Sequence, residues 1–473
     1  MVEITPQLDV KSKKPLYIQL YEYIKRKIIS GTILPETRLP PIRGLSLHLN
    51  ISRNTVELAY QQLVSEGYVQ SRPRSGLYVI AFDKELPSFY SNQQLTFDIK
   101  QTNQQFIDYD FRYGNVDLEH FPFSVWKKFT NKCLSPDQQE LFSYGDPKGE
   151  PGLRVEIAKY LHYSRGVNCS PEQIIVGAGI QQLLSLLAQL IKVTDNSFAM
   201  ENPGYDGVRM VFRNHGFIIN SIPLEKDGLD VQDLYKNNAK LVYITPSHQF
   251  PCGMVMPFLK RMQLLQWAKE EDSFIIEDDY DSEFRYIGKP IPSLQGIDTN
   301  DRVIYLGTFS KSLLPSLRIG YMVLPSILLK RYENNFQLYD QTVSRIHQTT
   351  LQWFMENGHW EKHLRKMRIV YQKKQHTLIS TIQNFMKGKV RIIGKGAGLH
   401  ILLEVYQGKS EGHLIKRAKK FGVKVYPVSK HWENPNQMKT AMVQLGFGGL
   451  TNDQITEGIK SLQRAWFEED DNK

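Results

Sequence analysis

The chain contains few cysteines and no apolar run long enough to cross a membrane. Its three cysteines, Cys133, Cys169 and Cys252, lie far apart and form no CxxC pair. This spacing points to neither a disulfide framework nor a zinc site, and it suits a reducing compartment. The longest apolar stretch, Leu183 to Val193, is broken by Gln189 and Lys192 and is too short for a bilayer. The N-terminus lacks the apolar core of a signal peptide, so we expect a cytoplasmic protein.

The composition is that of a soluble globular protein with more than one domain. Of the 473 residues, 41% are hydrophobic and 23% are charged, and this length exceeds what one ordinary core supports. The formal net charge is +10, and half of it lies in the first 80 residues, where eleven Lys and Arg face six Asp and Glu. Such a basic cluster favours nucleic acid only weakly, because a solvated surface gives the same excess.

The first 80 residues have the pattern of a small helical domain. Apolar residues recur on one helical face between residues 17 and 30, and Gly31 follows as a stop. A short helix over residues 42–49 and a tight turn come next, and a longer helix then starts at Ser52, which is a favourable N-cap.

The longer helix exposes polar residues in its first turn. Its apolar residues, from Val56 to Val64, repeat at helical spacing, while Arg53, Asn54 and Thr55 lie outside that face. Arg and Asn make bidentate contacts with guanine and adenine in the major groove, and Thr can contact a phosphate or a thymine methyl. We therefore expect these three residues, with Ser52 beside them, to contact DNA.

Two short β-prone runs follow this helix and enclose a Pro-Arg-Ser-Gly turn. They predict a hairpin with Arg72 and Arg74 at its tip, and such a wing would contact the DNA backbone or the minor groove. From these residues alone, a helical adaptor with a basic hairpin remains an alternative.

Four segments between Pro15 and Val79 form a shared pattern: LPPIRGL, SRNTV, AYQQL and SEGYV. They resemble the winged helix-turn-helix of the GntR family. The resemblance implies a double-stranded DNA operator as partner, with Arg43 among the contact residues. Pro41 departs from the family, which commonly has a small hydroxyl residue there, and this puts one phosphate contact in doubt.

Residues 81–105 mix polar and charged residues without periodicity. They predict a linker between a DNA-binding domain at 1–80 and a second domain at 106–473.

Beyond the linker, β-branched runs such as QIIVGAG, KLVYITP, SFIIEDD and RVIYLGTFS alternate with helical stretches. This alternation predicts an α/β domain with a mainly parallel sheet. Ligands bind beyond the carboxyl ends of such strands, so the site is expected in the loops that follow them.

The segment GTFSKSLLPSLRIGY places Lys311 after a strand and a hydroxyl-rich turn, with Arg318 seven residues later. A lysine in this position could form a Schiff base, although a Ser-Lys pair after a strand is more often an ordinary exposed turn. Upstream, IIEDDYDSEF ends a strand with acidic residues, and a buried carboxylate such as Asp278 would keep a pyridinium nitrogen protonated.

Two further observations concern the same predicted site. Asp278, Asp279 and Asp281 could instead form a metal site or a solvated acidic loop, but no histidine is near them in the sequence, and we expect no metal. In VGAGIQQLLSLL, Ala178 and Gly179 open a helix whose free backbone N–H groups and dipole favour a phosphate. A short glycine pair alone is weak evidence.

In their order and spacing these elements resemble the fold-type I pyridoxal-phosphate enzymes, and residues from about 106 to 470 resemble an aminotransferase domain throughout. With the N-terminal module, the chain resembles the MocR/GabR subfamily. The resemblance implies a smaller C-terminal α+β subdomain, pyridoxal 5'-phosphate as cofactor and a homodimer. It makes Lys311 the Schiff-base lysine, Asp278 the partner of the ring nitrogen and Tyr280 a donor to the ring phenolate oxygen.

The remaining cofactor contacts follow from the same resemblance. Thr308, Ser310 and Arg318 would hold the phosphate. ENPGYDG makes Tyr205 the aromatic residue stacked on the ring, and SYGDPKGEPGLR makes Tyr144 the tyrosine that reaches the neighbouring subunit's phosphate. The asparagine that aminotransferases place beside the phenolate oxygen is missing from TPSHQFPCG, where His248 or Gln249 would substitute.

Two functions remain open: a DNA-binding regulator that uses Schiff-base exchange with a small amine or amino acid as its switch, or a working aminotransferase with an appended DNA module. Aminotransferases often bind the substrate carboxylate through an arginine in a C-terminal strand, but here Gln444 occupies that position. Lys430 is the nearest cation in the segment where GabR-type regulators have an arginine, so it is the candidate effector contact. Pyridoxal phosphate itself is a third possible signal.

Overall fold

In the computed structural model the described residues are 4–12, 14–81, 106–191, 196–288, 292–406, 408–438 and 440–468. The chain divides into two compact units, Met1–Asn103 and Gln104–Lys473. The predicted linker at 81–105 lies outside the described residues except for its first residue.

The N-terminal unit consists of three helices and a hairpin. Its elements are α1 (Leu16–Ile29), α2 (Ile42–Leu49), α3 (Arg53–Ser65), β1 (Val69–Arg72) and β2 (Gly76–Val79). The two strands pair antiparallel, with Val69 opposite Val79 and Arg72 opposite Gly76. The predicted elements are confirmed, and the side chain of Ser52 caps α3 by accepting a hydrogen bond from the Thr55 N–H at 3.1 Å.

The core of this unit is built from one face of each helix. Leu20 and Ile24 of α1 pack with Val56 and Leu63 of α3, and all four are fully buried. Val64, which the helical spacing placed on the same face, is 38% exposed, so the buried face of α3 is narrower than predicted. The polar first turn of α3 is left on the surface as a consequence.

The large unit alternates strands and helices along most of its length. Its helices are α4 (Phe123–Cys133), α5 (Pro151–Arg165), α6 (Ile180–Leu190), α7 (Asp206–Asn214), α8 (Val231–Lys236), α9 (Phe258–Glu270), α10 (Leu294–Ile297), α11 (Ser326–Asn335), α12 (Arg345–Glu356), α13 (His359–Phe385), α14 (Glu411–Lys420) and α15 (Asn452–Phe467). Its strands are β3 (Tyr109–Asp110), β4 (Ile174–Gly177), β5 (Ser197–Asn202), β6 (Ile218–Glu225), β7 (Gly228–Leu229), β8 (Leu241–Ile244), β9 (Phe274–Asp279), β10 (Val303–Thr308), β11 (Gly320–Val323), β12 (Val390–Ile393), β13 (His400–Val405), β14 (Val423–Lys424), β15 (Tyr426–Pro427) and β16 (Met442–Gly446).

An eight-stranded sheet forms the centre of this unit, in the order β4-β11-β10-β9-β8-β5-β6-β7. Strands β10, β9, β8, β5 and β6 run parallel, and β11 runs antiparallel to both of its neighbours, β10 and β4. Apolar clusters cover both faces of the sheet, which is why its inner strands are continuous apolar runs. The predicted α/β fold with a mainly parallel sheet is confirmed.

A smaller α+β subdomain follows in sequence. Its antiparallel sheet has the order β12-β13-β16-β15, and α13, α14 and α15 supply much of the apolar cluster that packs against it. The short β3 near the start of the unit pairs parallel with β14 of this subdomain. The residues just after β3 are thereby held beside the C-terminal subdomain. Within the described part of the chain, no helix is both long and apolar enough to span a membrane.

Candidate functional site

A cavity of about 440 Å³ lies where the parallel strands end. Eight of the predicted contact residues line it: Tyr205, Asp278, Tyr280, Thr308, Ser310, Lys311, Arg318 and Lys430. The strands bring them together, because residues that follow β9 and β10 meet at the same edge of the sheet. Residues that are far apart in the sequence therefore lie close together in the fold.

Lys311 projects into this cavity from the turn after β10. Its Nζ donates a hydrogen bond to the backbone oxygen of Tyr113 at 2.9 Å and lies 3.4 Å from the centre of the Tyr113 ring. Burial lowers the pKa of Lys311 to about 7, against the opposing effect of Asp281 and with the help of the positive charge of Arg112. A large fraction of this amine is consequently neutral, and nucleophilic, near pH 7.

The acidic end of β9 sends successive side chains to opposite sides of the sheet. Asp278 faces the cavity, where Tyr243 donates to its Oδ2 at 2.6 Å and its Oδ1 has no partner among the described residues. Burial raises the pKa of Asp278 to about 7, although the bond from Tyr243 opposes this shift. Asp279 instead accepts from Arg165 and from Tyr305, both at 2.6 Å. This alternation selects Asp278 as the carboxylate of the site.

At the opposite end of the cavity, Arg318 meets the start of α6. Its Nη2 donates to the backbone oxygen of Ala178 at 3.1 Å, and a Cβ at Gly179 would lie 2.3 Å from the same nitrogen. Gly179 also has a φ of +93°, a conformation that favours glycine. Glycine is thus required here both by the backbone and by the arginine.

The backbone donors at this end differ from the prediction. The N–H of Ala178 donates to Gln182 and Thr342, each at 3.1 Å, and the N–H of Gly179 donates to Gly177 at 2.8 Å. Ile180 and Gln181, in the first turn of α6, line the cavity instead. The first N–H groups of a helix have no partner within it, so this turn offers the donors that were assigned to Ala178 and Gly179.

Two hydroxyl groups line the same cavity as Lys311 and Arg318. The Thr308 hydroxyl donates to the Ser310 hydroxyl at 3.0 Å, and it accepts the backbone N–H of Ser310 at 3.1 Å. The pair forms a small polar wall beside the lysine.

His248 does not reach the cavity wall, although the sequence offered it as the substitute for a missing asparagine. Its Nδ1–H donates to Asp281 at 3.0 Å, and its backbone oxygen accepts the hydroxyl of Tyr280 at 2.8 Å. The side chain of Gln249 donates to the backbone oxygens of Phe250 at 2.7 Å and Pro203 at 2.9 Å, and Phe250 faces the cavity from this segment. His248 therefore lies behind Tyr280, because Asp281 draws its ring away.

Two histidines lie near the acidic end of β9 in the fold, contrary to the expectation from the sequence. No histidine is near the three aspartates in sequence, but His248 and His400 lie beside Asp281 in the fold, with one ligand atom of each within 4.8 Å of the others. The alternative that these aspartates form a solvated acidic loop is excluded, because Asp278, Asp279 and Asp281 are all buried.

Of the two tyrosines that were predicted to contact the cofactor, one lines the cavity and the other lies on the surface. Tyr205 lines the cavity, and its ring packs edge-on against Phe250 at 5.7 Å between ring centres. Tyr144 is 90% exposed and does not line the cavity of its own chain.

The C-terminal subdomain closes the remaining side of the cavity. Lys430 lies at the mouth, half exposed, with its Nζ 3.6 Å from Asp206 Oδ2. Gln444 of β16 lines the inner wall, and its buried Nε2 has no partner among the described residues.

Sequence reasoning missed Arg112, Tyr113 and Tyr243. All three line the cavity, yet none lies in a segment that follows a predicted strand of the main sheet. Tyr243 is a polar group inside the otherwise aliphatic strand β8, and that exception was the signal that could have found it.

The predicted DNA contacts of the N-terminal unit lie on its surface. Arg53 and Asn54 are exposed in the first turn of α3, Arg43 is exposed on α2, and the half-buried Thr55 is hydrogen-bonded to Ser52 through its hydroxyl at 2.8 Å. Ser52 is therefore occupied as a cap, which leaves Arg53 and Asn54 as the freely projecting pair of this turn.

The hairpin presents one free arginine instead of two. Arg74 is exposed at the turn with a φ of +58°, whereas Arg72 is paired with Glu36 and stacks on the ring of Tyr78 at 4.5 Å. Arg38, which the sequence analysis passed over, is exposed beside Gly76, whose Cβ position lies 3.0 Å from its Nε. The exposed cations of the wing are thus Arg38 and Arg74.

Comparisons with known proteins agree with this architecture. The family profile "Aminotransferase class I and II" matches residues 109–413, and "Bacterial regulatory proteins, gntR family" matches residues 16–79. The chain is 47% identical over 468 residues to the uncharacterized HTH-type transcriptional regulator YdeL of Bacillus subtilis, covering 98% of this chain and 100% of that protein. It is 33% identical over 472 residues to the probable rhizopine catabolism regulatory protein MocR of Rhizobium meliloti, covering 97% and 95%.

The chain belongs to the MocR/GabR subfamily of GntR-family transcription regulators. Like its relatives, this MocR/GabR regulator joins a DNA-binding helix-turn-helix to an aminotransferase-like domain. That domain is similar to the multiple substrate aminotransferase of Thermococcus profundus, with 27% identity and a TM-score of 0.68 over 76% of this chain and 91% of that one.

Proposed function

We propose that this chain is a pyridoxal-phosphate-dependent transcription regulator whose large domain senses a small amine or amino acid through Lys311. One observation is central to the proposal. A chain that carries a GntR-type DNA-binding unit also places a lysine of lowered pKa in a cavity between a buried carboxylate and an arginine. We assign DNA binding to residues 1–80, the linker to 81–105 and sensing to 106–473, with a cytoplasmic homodimer as the working form.

The residues of the cavity fit pyridoxal phosphate. Asp278 Oδ1 is a buried acceptor without a partner in the described part of the chain, as a protonated ring nitrogen requires. Arg318, the first turn of α6 and the hydroxyls of Thr308 and Ser310 offer donors for a phosphate. The space that glycine leaves at position 179 is filled by the Arg318 guanidinium, so that end of the cavity is positively charged.

When bound, the cofactor supplies an aldehyde carbon that condenses reversibly with a primary amine, either of a lysine or of a free ligand. Lys311 provides the amine of the chain, and its lowered pKa keeps it ready to react near pH 7. The carboxylate of Asp278 is a hydrogen-bond acceptor in the cavity wall, and the hydroxyl of Tyr243 fixes the orientation of that carboxylate. Tyr280 is held in place by its hydrogen bond to the backbone of His248.

A regulatory role requires that the ligand alter the arrangement that binds DNA. A ligand shifts such an equilibrium only by its difference in affinity between the two arrangements. Tyr113, which holds the Lys311 amine, lies close in sequence to the linker that leads to the DNA-binding unit. A change at Lys311 therefore acts directly on Tyr113, which lies near the start of the large unit.

The absorbance spectrum of the purified full chain with added pyridoxal phosphate tests this proposal. We expect a Schiff-base band that Lys311→Ala removes and that the exposed-lysine control Lys420→Ala retains, with both variants folded by circular dichroism. A panel of amines, amino acids and D-amino acids is then added. A member that shifts the band and changes DNA affinity without forming keto acid identifies a sensor.

Each other outcome has a definite meaning. Keto acid that accumulates over many turnovers would make the chain a working aminotransferase. DNA affinity that depends on pyridoxal phosphate but on no panel member would make the cofactor itself the signal. The absence of any band in the wild type would overturn both roles of the cofactor.

A further inference from the structure

Four cations line the cavity, and three of them have a partner or a task. Lys311 is the reactive amine, Arg318 contacts the backbone oxygen of Ala178 at 3.1 Å, and Lys430 lies 3.6 Å from Asp206. The fourth is Arg112. Among the described residues, its guanidinium group takes part in no ion pair and no side-chain hydrogen bond.

Arg112 occupies the wall next to the reactive amine. It directly precedes Tyr113, whose backbone oxygen accepts the hydrogen bond from Lys311 Nζ at 2.9 Å. Its positive charge acts on Lys311, adding to the effect of burial and opposing that of Asp281. The pairing of β3 with β14 holds this stretch of chain beside the C-terminal subdomain.

The strand beside this segment, β16, carries a donor without an acceptor; its Gly446 N–H donates to the backbone oxygen of Phe111 at 2.9 Å. Gln444 is only 4% exposed, it lines the same cavity, and its buried Nε2 has no partner among the residues that the structure describes. It lies opposite Tyr426 in the register of β15 and β16, and Tyr426 also lines the cavity. A buried amide N–H requires an acceptor, and here the cavity is where a ligand can provide one.

We propose that Arg112 binds an acidic group of the effector, with Gln444 donating a second hydrogen bond to that group. This rests on the proposed function and specifies its ligand as an amino acid, which has a carboxylate as well as an amine. A guanidinium presents paired N–H groups that match the two oxygens of a carboxylate. Lys430 is less suited to this task, because Asp206 already offsets its charge.

This assignment also accounts for the departure at position 444. Gln444 takes the place where aminotransferases often have an arginine, and the loss of that charge leaves the carboxylate without a planar cationic partner from β16. Arg112 supplies such a partner from a different segment of the same cavity. A carboxylate is therefore bound, but in an orientation that β16 does not dictate.

Matched pairs of ligands test the proposal on the full chain loaded with pyridoxal phosphate. The probes are L-alanine, D-alanine, β-alanine and 4-aminobutanoate, with ethylamine and propylamine as counterparts that lack the carboxylate. Apparent dissociation constants come from titration of the cofactor absorbance band. We expect the wild type to bind at least one acid more tightly than its amine counterpart.

Arg112→Gln should weaken binding of that acid by about 10- to 100-fold, the range for loss of a charged hydrogen bond. Binding of the amine counterpart should change far less, because Arg112 adds only a minor part to the effect of burial on Lys311, and the cofactor band should remain. Arg112→Lys keeps the positive charge but loses the paired N–H groups of the guanidinium, so it should give an intermediate loss of affinity for the acid. Arg391→Gln, at an exposed arginine on β12, serves as the control and should leave all constants unchanged.

The outcomes separate this proposal from the function on which it rests. A wild type without a cofactor band defeats the proposed function itself. A normal band with equal responses to acids and amines overturns the role of Arg112 alone. A normal band that responds to neither set overturns that role together with the sensing of an amine or amino acid. An Arg112→Gln variant that binds the acid as the wild type does would overturn it as well.

Discussion

The side-chain nitrogen of Lys311 donates to the backbone oxygen of Tyr113 at 2.9 Å and lies 3.4 Å from the centre of the Tyr113 ring. A carbonyl oxygen accepts from either a neutral or a charged amine, whereas a ring face attracts the charged form. Burial is stronger than these contacts, so the pKa of Lys311 still falls to about 7. The amine thus has a defined position without losing its reactivity.

The first prediction concerns the titration of this amine. In the protein without cofactor, NMR of chain labelled with ¹³C at lysine Cε should show one signal with a midpoint at about pH 7, against about 10.5 for ordinary lysines. That signal should vanish in Lys311→Met and persist in Lys420→Met. A midpoint near pH 10 would contradict the prediction, because it would mean that the amine of Lys311 remains hydrated and is not desolvated by burial.

The same shift sets the sign of a pH effect on stability. Between about pH 7 and 10.5 the folded chain binds fewer protons at Lys311 than the unfolded chain does. The free energy of unfolding therefore rises with pH in this window, and Lys311 destabilises the fold least at its upper end. Relative to Lys311→Met, the wild type without cofactor should gain free energy of unfolding as the pH rises from 7 to 9. Chemical denaturation at several pH values measures this difference, and a flat difference would contradict it.

The second prediction concerns Gly179. An alanine Cβ there would lie 2.3 Å from Arg318 Nη2, and the φ of +93° adds backbone strain, so Gly179→Ala should displace the arginine. We expect affinity for pyridoxal phosphate to fall by about tenfold or more, as the loss of a charged hydrogen bond implies. Absorbance titration gives the dissociation constant.

Gly388→Ala is a matched control for that change. Gly388 has a similar left-handed φ of +73° but nothing within 4 Å of its Cβ position. It should lower stability slightly and leave cofactor affinity unchanged. Equal losses in the two variants would show that backbone strain, and not the displacement of Arg318, is responsible.

The third prediction concerns the partner of Asp278. Tyr243→Phe removes the hydroxyl that donates to Asp278 at 2.6 Å and leaves a second oxygen of a buried carboxyl unpaired. The free energy of unfolding without cofactor should fall by about 1–3 kcal/mol. Because the pKa of Asp278 is about 7, the loss should be larger at pH 8, where the carboxyl is ionised, than at pH 5.5.

Tyr305→Phe provides the comparison. Tyr305 donates to Asp279 at the same distance of 2.6 Å, but Arg165 also donates to that oxygen at 2.6 Å. The carboxylate therefore keeps a charged partner when the hydroxyl is removed. A loss that is as large and as pH-dependent as that of Tyr243→Phe would count against the special position of Asp278.

The fourth prediction concerns the DNA-binding unit. Arg53→Ala should weaken binding to a selected operator and relax its sequence preference, because Arg53 projects from the first turn of α3. Arg74→Ala, at the tip of the hairpin, should weaken binding to all sequences and lower the salt slope by about one. Operator selection from random DNA followed by titrations at several salt concentrations measures both effects.

Arg72→Ala should change DNA binding less than Arg74→Ala, since Arg72 is already paired with Glu36 and stacked on Tyr78. Arg391→Ala in the large unit serves as the neutral reference. Unchanged operator binding in both Arg53→Ala and Arg74→Ala would remove the winged-helix interface from further consideration.

The elements of this fold were predictable because their signals are local. The apolar runs of β4, β8, β9 and β10 and the cap at Ser52 depend on neighbouring residues alone. The site was predictable where one segment supplies several of its residues, as between Thr308 and Arg318. Arg112 and Tyr113 were missed because only the chain's return to the C-terminal subdomain brings them to the cavity.

The errors have a similar origin. His248 was proposed from its place in a turn, but the attraction of Asp281, 33 residues away, turns its ring behind Tyr280. Arg72 was predicted to project from the hairpin like Arg74, but Glu36 pairs with it. In both cases a charged partner distant in sequence decided the direction of the side chain.

The reversal of β11 sets the spacing of the site. Since β11 runs against β10 and β4, the chain leaves β10 after Thr308 and enters β11 at Gly320 on the same edge of the sheet, and Lys311 and Arg318 lie in the connection between the two strands. This short connection sets how far the amine of Lys311 lies from the guanidinium group of Arg318. Under the proposed function, a vitamin B6 compound without its phosphate would lack the group that Arg318 binds, so we expect the phosphorylated form to bind more tightly than the free form.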